Sequence, residues 1–214
     1  MRRESLIRYL TIIRKNFWIN LGPNALMALP LLLLTPILFG INDLDSTASS
    51  KVLEQFVALI GIILITPIFR PEQQKDLREV VEAKYTSQTG IYLVRILTAM
   101  LMVLFFITCM VAVMKVNNCS FQVKDIIFGT LCTSLFLGVM GLFICAVSDQ
   151  MILGYMIPMG YFIFNLFTAD KYVQKFYLFS MTRGRMEEKY WLLSAVTFML
   201  LGTIVIKWIQ RRVR

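Results

Sequence analysis

The chain has 214 residues, of which 57% are hydrophobic and only 16% are charged, whereas soluble domains carry about 25% charged residues. This composition excludes an ordinary water-soluble domain and predicts an integral membrane protein. The chain has 22 Lys and Arg against 13 Asp and Glu, and no histidine. Without histidine, Ser-His-Asp and Cys-His catalysis and most zinc and haem sites are excluded.

Six apolar stretches are long enough, at about 20 residues each, to cross a bilayer as helices. They predict an all-α membrane protein that forms a single transmembrane domain over 1–214. Pro30 and Pro36 predict that the first span is kinked and packed inside a bundle, where neighbouring helices satisfy the freed carbonyl groups. The fourth and fifth stretches together are too long to cross once, so we predict two helices there. The predicted spans are 20–41, 52–69, 91–114, 126–147, 151–168 and 191–207.

The distribution of Lys and Arg near the span ends predicts that both termini are cytoplasmic. The exception is the predicted outer segment 169–189, which carries five basic residues. Three charged residues, Glu54, Arg95 and Asp149, lie within or at the edges of spans. Each is close enough to a membrane interface to reach headgroups, so we interpret them as structural more than functional.

An amphipathic helix is predicted over 1–17, because apolar residues recur there on one helical face among basic residues. Such a helix lies in the inner headgroup region of the bilayer. One interpretation is that this helix serves only as a membrane anchor. The candidates for the inner interface are Arg8, Arg14, Lys15 and Arg95.

A second amphipathic helix is predicted over 71–85, between the second and third spans. Pro71 suits the first turn of a helix, and acidic residues precede Lys84 in the order that the helix dipole favours. The segment is either a connector lying on the membrane or a helix presented to a soluble partner. A shorter turn would join the two spans, which favours the partner. The candidate contact residues are Glu72, Lys75, Asp76, Leu77, Arg78, Glu79, Val80, Val81, Glu82 and Lys84.

The outer segment 169–189 alternates aromatic residues with Lys and Gln, a pattern that suits a membrane interface. Residues Thr182–Arg185 resemble a turn. The segment is either an interfacial or re-entrant stretch leading into the last span, or an outer lid over an exit path. The candidates for an outer gate are Tyr172, Phe176, Tyr177 and Phe179.

Known catalytic and ligand-binding motifs are missing from the sequence. It contains no phosphate-binding G-x-x-x-x-G-K-[ST] loop, no G-x-S-x-G elbow and no H-E-x-x-H pair, so an enzyme is not expected. The four cysteines lack metal-type spacing and are interpreted as apolar fillers. The basic residues flank spans, so they predict orientation and not nucleic-acid binding.

This layout resembles the membrane subunit of ABC transporters of the type-2 exporter class. In that family an acidic residue ends the second span, a stretch that contacts the ATPase follows, and a basic residue opens the third span. Here the matching positions are Glu72, the helix from Lys75 to Lys84, and Arg95. The Gly-Thr pair frequent in the family is replaced here by Gln74-Lys75-Asp76. Among short permeases the chain looks similar to bacterial exporters of phenol-soluble modulins, which are amphipathic toxin peptides.

The resemblance implies a permease of the bacterial plasma membrane that pairs with a second copy of itself and with two separate ABC ATPase subunits. ATP and Mg²⁺ would bind to those partners, and no cofactor to this chain. The 71–85 segment would be the coupling helix. Two other classes remain open: a membrane binding module, such as a vitamin-importer capture subunit or a passive channel, and a toxin-immunity protein without transport.

Overall fold

The computed structural model describes residues 21–69, 88–168 and 173–213. The predicted interfacial helix 1–17 and the predicted coupling helix 71–85 lie wholly outside the described residues. Within those three ranges all regular structure is helical. The α-helices are α1 Gly22–Phe39, α2 Ser46–Gln55, α3 Ile60–Ile65, α4 Gln88–Val116, α5 Val123–Ser148, α6 Met151–Phe167 and α7 Glu187–Val213. Short 3-10 turns are Val57–Leu59, Thr66–Phe69, Gln174–Phe176 and Ser180–Arg183.

The helices lie where the apolar stretches predict them, so the chain is an all-helical, multi-pass membrane protein. Among the described residues, five helical stretches are long and apolar enough to cross a membrane. The second of these, Ser46–Phe69, joins α2 and α3 through 3-10 turns. The apolar helix α6 is shorter, at 17 residues. The last helix begins at Glu187, four residues before the predicted span, so its first turn lies outside the apolar stretch.

Consecutive spans alternate in direction, with α2 and α3 counted as one span. The end of α1 contacts the α2–α3 junction, where the rings of Phe39 and Phe56 lie 5.3 Å apart. The beginning of α4 lies beside the end of the second span, where the rings of Phe69 and Tyr92 lie 5.5 Å apart. We name the two ends of the bundle after two lysines of α7: the Lys189 end and the Lys207 end.

The second span and α5 form the centre of the bundle and run in the same direction. A Cβ on Gly61 would lie 1.9 Å from the carbonyl oxygen of Ser134, and a Cβ on Gly138 would lie 2.5 Å from that of Gly61. The chain between α2 and α3 forms a 3-10 turn at Val57–Leu59. There the hydroxyl of Ser134 donates to the carbonyl of Ala58 (2.9 Å). This hydrogen bond gives the carbonyl a partner that lipid could not supply.

Helix α1 lies at the edge of the described bundle, and the prediction that it packs inside is wrong for this chain. The side chains of Leu26, Leu33 and Ile37 are 69%, 67% and 76% exposed. The apolar side chains of this face do not require a protein neighbour, because lipid is as apolar as they are. Within α1, the Thr35 hydroxyl donates to the Leu31 carbonyl at 2.8 Å.

Helices α5 and α6 are separate, as the sequence predicts. Asp149 ends α5 in the left-handed region, with φ of 55° and ψ of 19°. Its amide donates to the carbonyl of Cys145 (3.0 Å), which closes the last turn of the helix. The chain then reverses direction and α6 packs antiparallel to α5, with Gly154 against Gly141.

Candidate functional site

A fully buried ion pair joins the second span to the last helix. The Nζ atom of Lys189 lies 2.5 Å from Oε1 of Glu54, and neither side chain is exposed. Glu54 comes from α2 and Lys189 from the first turn of α7. Burying either charge alone is costly, so each requires the other.

Two further acceptors complete the environment of the Lys189 ammonium group. It donates to the hydroxyl of Thr133 at 2.7 Å and to the carbonyl of Leu178 at 2.5 Å. An ammonium group has three N–H donors, and with Glu54 all three have acceptors. Lys189 thus connects α2, α5 and the predicted outer segment.

The same end of the bundle holds the backbone of residues 173–186. The amide of Leu178 donates to Oδ1 of Asn165 at 3.2 Å, and the hydroxyl of Tyr161 donates to the carbonyl of Phe176 at 2.9 Å. The amide of Met181 donates to Oε1 of Glu54 at 3.4 Å. Side chains of α2 and α6 therefore satisfy polar backbone atoms that this segment does not pair internally.

The arrangement has the chemistry of a structural contact that holds residues 173–186 against the helices. Its positive and negative charges neutralise each other, and its remaining members are neutral hydroxyl, amide and carbonyl groups. At its edge, burial and the nearby carboxylates of Glu54 and Glu188 raise the pKa of Tyr177 above its ordinary value. The Tyr177 phenol therefore stays protonated near neutral pH.

A second, weaker polar cluster lies at the Lys207 end. Nζ of Lys207 lies 3.3 Å from Oδ1 of Asp149 and 4.8 Å from the centre of the Phe69 ring. The side-chain amide of Gln210 donates to the carbonyl of Ala146 at 2.9 Å. The last helix is thus attached near both ends to the second span, by Glu54 at one end and Phe69 at the other.

The structure separates the predicted gate residues into two groups. Phe176 is 42% exposed, whereas Tyr177 and Phe179 are buried. The ring of Phe179 packs against Phe162 of α6, with centroids 5.6 Å apart. Tyr172 lies outside the described residues.

Of the other predicted site residues, only Arg95 lies within the described ranges. Arg95 lies half-buried in α4, near the Lys207 end. Outside the described residues lie Arg8, Arg14, Lys15, Glu72, Lys75, Asp76, Leu77, Arg78, Glu79, Val80, Val81, Glu82 and Lys84.

Sequence reasoning missed the partnership of Glu54 and Lys189. Glu54 was expected to reach the headgroups, but it points inward to a lysine that the sequence places in a basic loop. The burial of Lys189 also removes one of the five basic residues that made the 169–189 segment an exception to the orientation rule. The available signal was one acid and one base of opposite charge, each within a turn of the start of a predicted span.

Within the described ranges, no group of three or more His, Cys, Asp or Glu residues is placed to bind a metal ion. No protein-family model, no curated protein and no solved structure matches this chain.

Proposed function

We propose that this chain is the permease subunit of an ATP-driven exporter, working as a pair with a second copy and with two separate cytoplasmic ABC ATPase subunits. The observation that carries the proposal is the separation of two features to opposite ends of the bundle. Phe69 and the start of α4, which flank the 71–85 segment, lie at the Lys207 end. Residues 173–186 close the Lys189 end.

This separation suits a pump that receives force at one end and releases its cargo at the other. The 71–85 segment joins two described elements of the Lys207 end and mixes acidic with basic residues, so it is the natural docking element for a soluble ATPase. Arg211 and Arg212 follow Lys207 at the same end. Their positive charge favours the cytoplasmic side for this end of the bundle.

The interior favours a hydrophobic or amphipathic cargo, such as a toxin peptide or bacteriocin. A capture subunit for a polar vitamin needs convergent polar groups in its spans. In the described spans the buried polar side chains of Ser134, Thr133 and Asn165 are engaged with backbone or with Lys189. The buried hydroxyls of Ser49 and Thr66 have no hydrogen-bond partner among the described residues, but they lie near opposite ends of the second span and do not converge on one site. Apolar side chains make up most of the remaining surface of α1, α6 and α7.

The first test is purification of the full chain from its native membrane in mild detergent, followed by an ATPase assay with and without an amphipathic helical peptide. We expect an ATPase to co-purify and its activity to rise with the peptide. A chain that purifies without any ATPase would contradict the exporter proposal and favour an immunity or binding protein.

The second test addresses the docking element. The variant Asp76→Lys plus Glu79→Lys should lose most of the co-purified ATPase, because charge reversal opposes the original complementarity of the contact. The matched control is Asp45→Lys plus Glu187→Lys, which makes the same change in net charge at exposed positions of the Lys189 end. Equal ATPase yields from both double variants would show that the 71–85 segment is not the docking helix.

A further inference from the structure

Residues 173–186 have little internal structure to hold them in place. Their regular elements are two 3-10 turns, Gln174–Phe176 and Ser180–Arg183. Gln174 is a non-glycine residue with φ of 47°, a conformation that costs free energy. The segment nevertheless buries Leu178, Phe179 and Ser180 almost completely.

Hydrogen bonds from neighbouring helices hold residues 173–186 in place, and the ion pair contributes two of them. Lys189 binds the carbonyl of Leu178, and Glu54 binds the amide of Met181. These two bonds lie on either side of the buried Phe179. If the pair separates, both backbone groups and both charges lose partners in a buried site.

We propose that the Glu54–Lys189 pair is a latch that holds residues 173–186 closed over the Lys189 end of the bundle. When the pair separates, this segment opens locally while the helices stay packed. The latch belongs to the chain itself and does not depend on an ATPase.

Other contacts keep the helices packed against one another when the segment opens. The second span and α5 are joined deeper in the bundle by Gly61, Gly138 and the Ser134–Ala58 hydrogen bond. Helix α7 stays packed against α5 along its length, where Leu192 and Val196 are buried. Low-stability units of this kind open separately from a more stable core.

The experiment measures the reactivity of a cysteine placed in the segment. Ser180 is the reporter position, because it is fully buried and its hydroxyl has no hydrogen-bond partner in the described part of the chain. The variant Ser180→Cys is made in a background in which the native cysteines are replaced by alanine. The protein is placed in nanodiscs, so a membrane-impermeant maleimide reaches both faces, and the alkylation rate is measured.

With the pair intact, we expect Ser180→Cys to react slowly. Glu54→Gln and Lys189→Met should each accelerate its alkylation by about tenfold or more, because each leaves a buried charge without its partner. The double variant Glu54→Gln plus Lys189→Met should react more slowly than either single variant, because no unpaired charge remains.

The control is the same set of variants with Cys145 as the sole cysteine. Cys145 is 1% exposed and lies near the other end of α5, so it should stay unreactive throughout. Thr133→Val is a milder variant that removes one acceptor of Lys189 but keeps both charges. It should accelerate alkylation at position 180 by about threefold and leave Cys145 protected.

Three results would overturn the latch. One is no acceleration at position 180 in any of these variants. Another is equal acceleration at Cys145, including in Thr133→Val, which would mean that the pair holds the whole bundle. The last is a double variant that reacts at least as fast as the faster single variant, which would remove the evidence for a coupled pair.

Discussion

At the scale of single residues, small side chains decide how closely the two central spans approach. Gly61 and Gly138 place backbone against backbone, and any Cβ there would overlap a carbonyl oxygen of the facing helix. In a membrane, helix association depends on such close packing, because lipid is as apolar as the side chains. Gly160 of α6 is different, since a Cβ there would have no atom within 4 Å.

This contrast predicts opposite outcomes for one chemical change. Gly61→Ala and Gly138→Ala should each destabilise the protein by about 1–3 kcal/mol through overpacking. Gly160→Ala should be neutral or slightly stabilising, because alanine favours helix over glycine by about 1 kcal/mol. Thermal unfolding of the three variants in detergent measures the difference. Similar unfolding temperatures for all three would contradict the close approach of the second span and α5.

At the scale of elements, the turn between α5 and α6 depends on one residue in a left-handed conformation. Asp149 also contacts Lys207, but this ion pair is partly exposed, with side chains 38% and 11% accessible. Exposed pairs contribute little, about 0–1 kcal/mol. The backbone conformation of Asp149 should therefore matter more than its charge.

Two substitutions of Asp149 separate these effects, because both remove the charge. Asp149→Asn should change the stability by less than about 1 kcal/mol, since asparagine tolerates the left-handed region. Asp149→Val should cost about 1–2 kcal/mol more, because a β-branched residue does not. Denaturation monitored by circular dichroism compares them. Equal losses in the two variants would place the contribution in the ion pair and not in the backbone.

Helix α7 is the element whose two lysines define the ends of the bundle. Lys189 and Lys207 are separated by a whole number of helical turns, at 3.6 residues per turn, so they lie on the same face of the helix. Between the two lysines, one face of α7 packs against α5, where Leu192, Val196 and Thr203 are buried, and the opposite face is exposed. The two lysines therefore extend the packed face of the helix toward both of its ends.

At the scale of the whole molecule, two tryptophans of α7 mark the thickness of the bilayer. Trp191 and Trp208 are 49% and 50% exposed, and the Nζ of Lys175 lies 4.4 Å from the Trp191 ring centre. At 1.5 Å per residue they are about 26 Å apart along the helix, close to a hydrocarbon core of about 30 Å. Tryptophans next to lysines at this spacing suit the two interfaces.

This placement predicts where each tryptophan sits in a lipid bilayer. In variants that keep only Trp191 or only Trp208, lipids brominated near the headgroup should quench fluorescence more strongly than lipids brominated at the acyl-chain end. The third tryptophan, Trp18, is replaced by phenylalanine in both variants. Stronger quenching by deep bromines for either variant would mean that α7 is shifted along the membrane normal or lies in its plane.

Sequence reasoning predicts the class and the helices because both depend on local properties. The length of an apolar stretch and the composition around it are sufficient to predict α4, α5 and α6 to within a few residues. The roles of Glu54 and Lys189 could not be read in this way. Each looks like an interfacial charge in its own segment, and only packing brings the two segments together.

The sequence by itself thus determined that this chain is helical, spans a membrane several times and carries most of its positive charge beside its spans. The tertiary structure alone decided that α1 lies at the edge, that Leu178–Ser180 are buried, and that Lys189 faces Glu54 and not water. The physical reason is that hydrophobic length is a property of one segment. The partner of a buried charge, in contrast, is fixed by which helix faces meet.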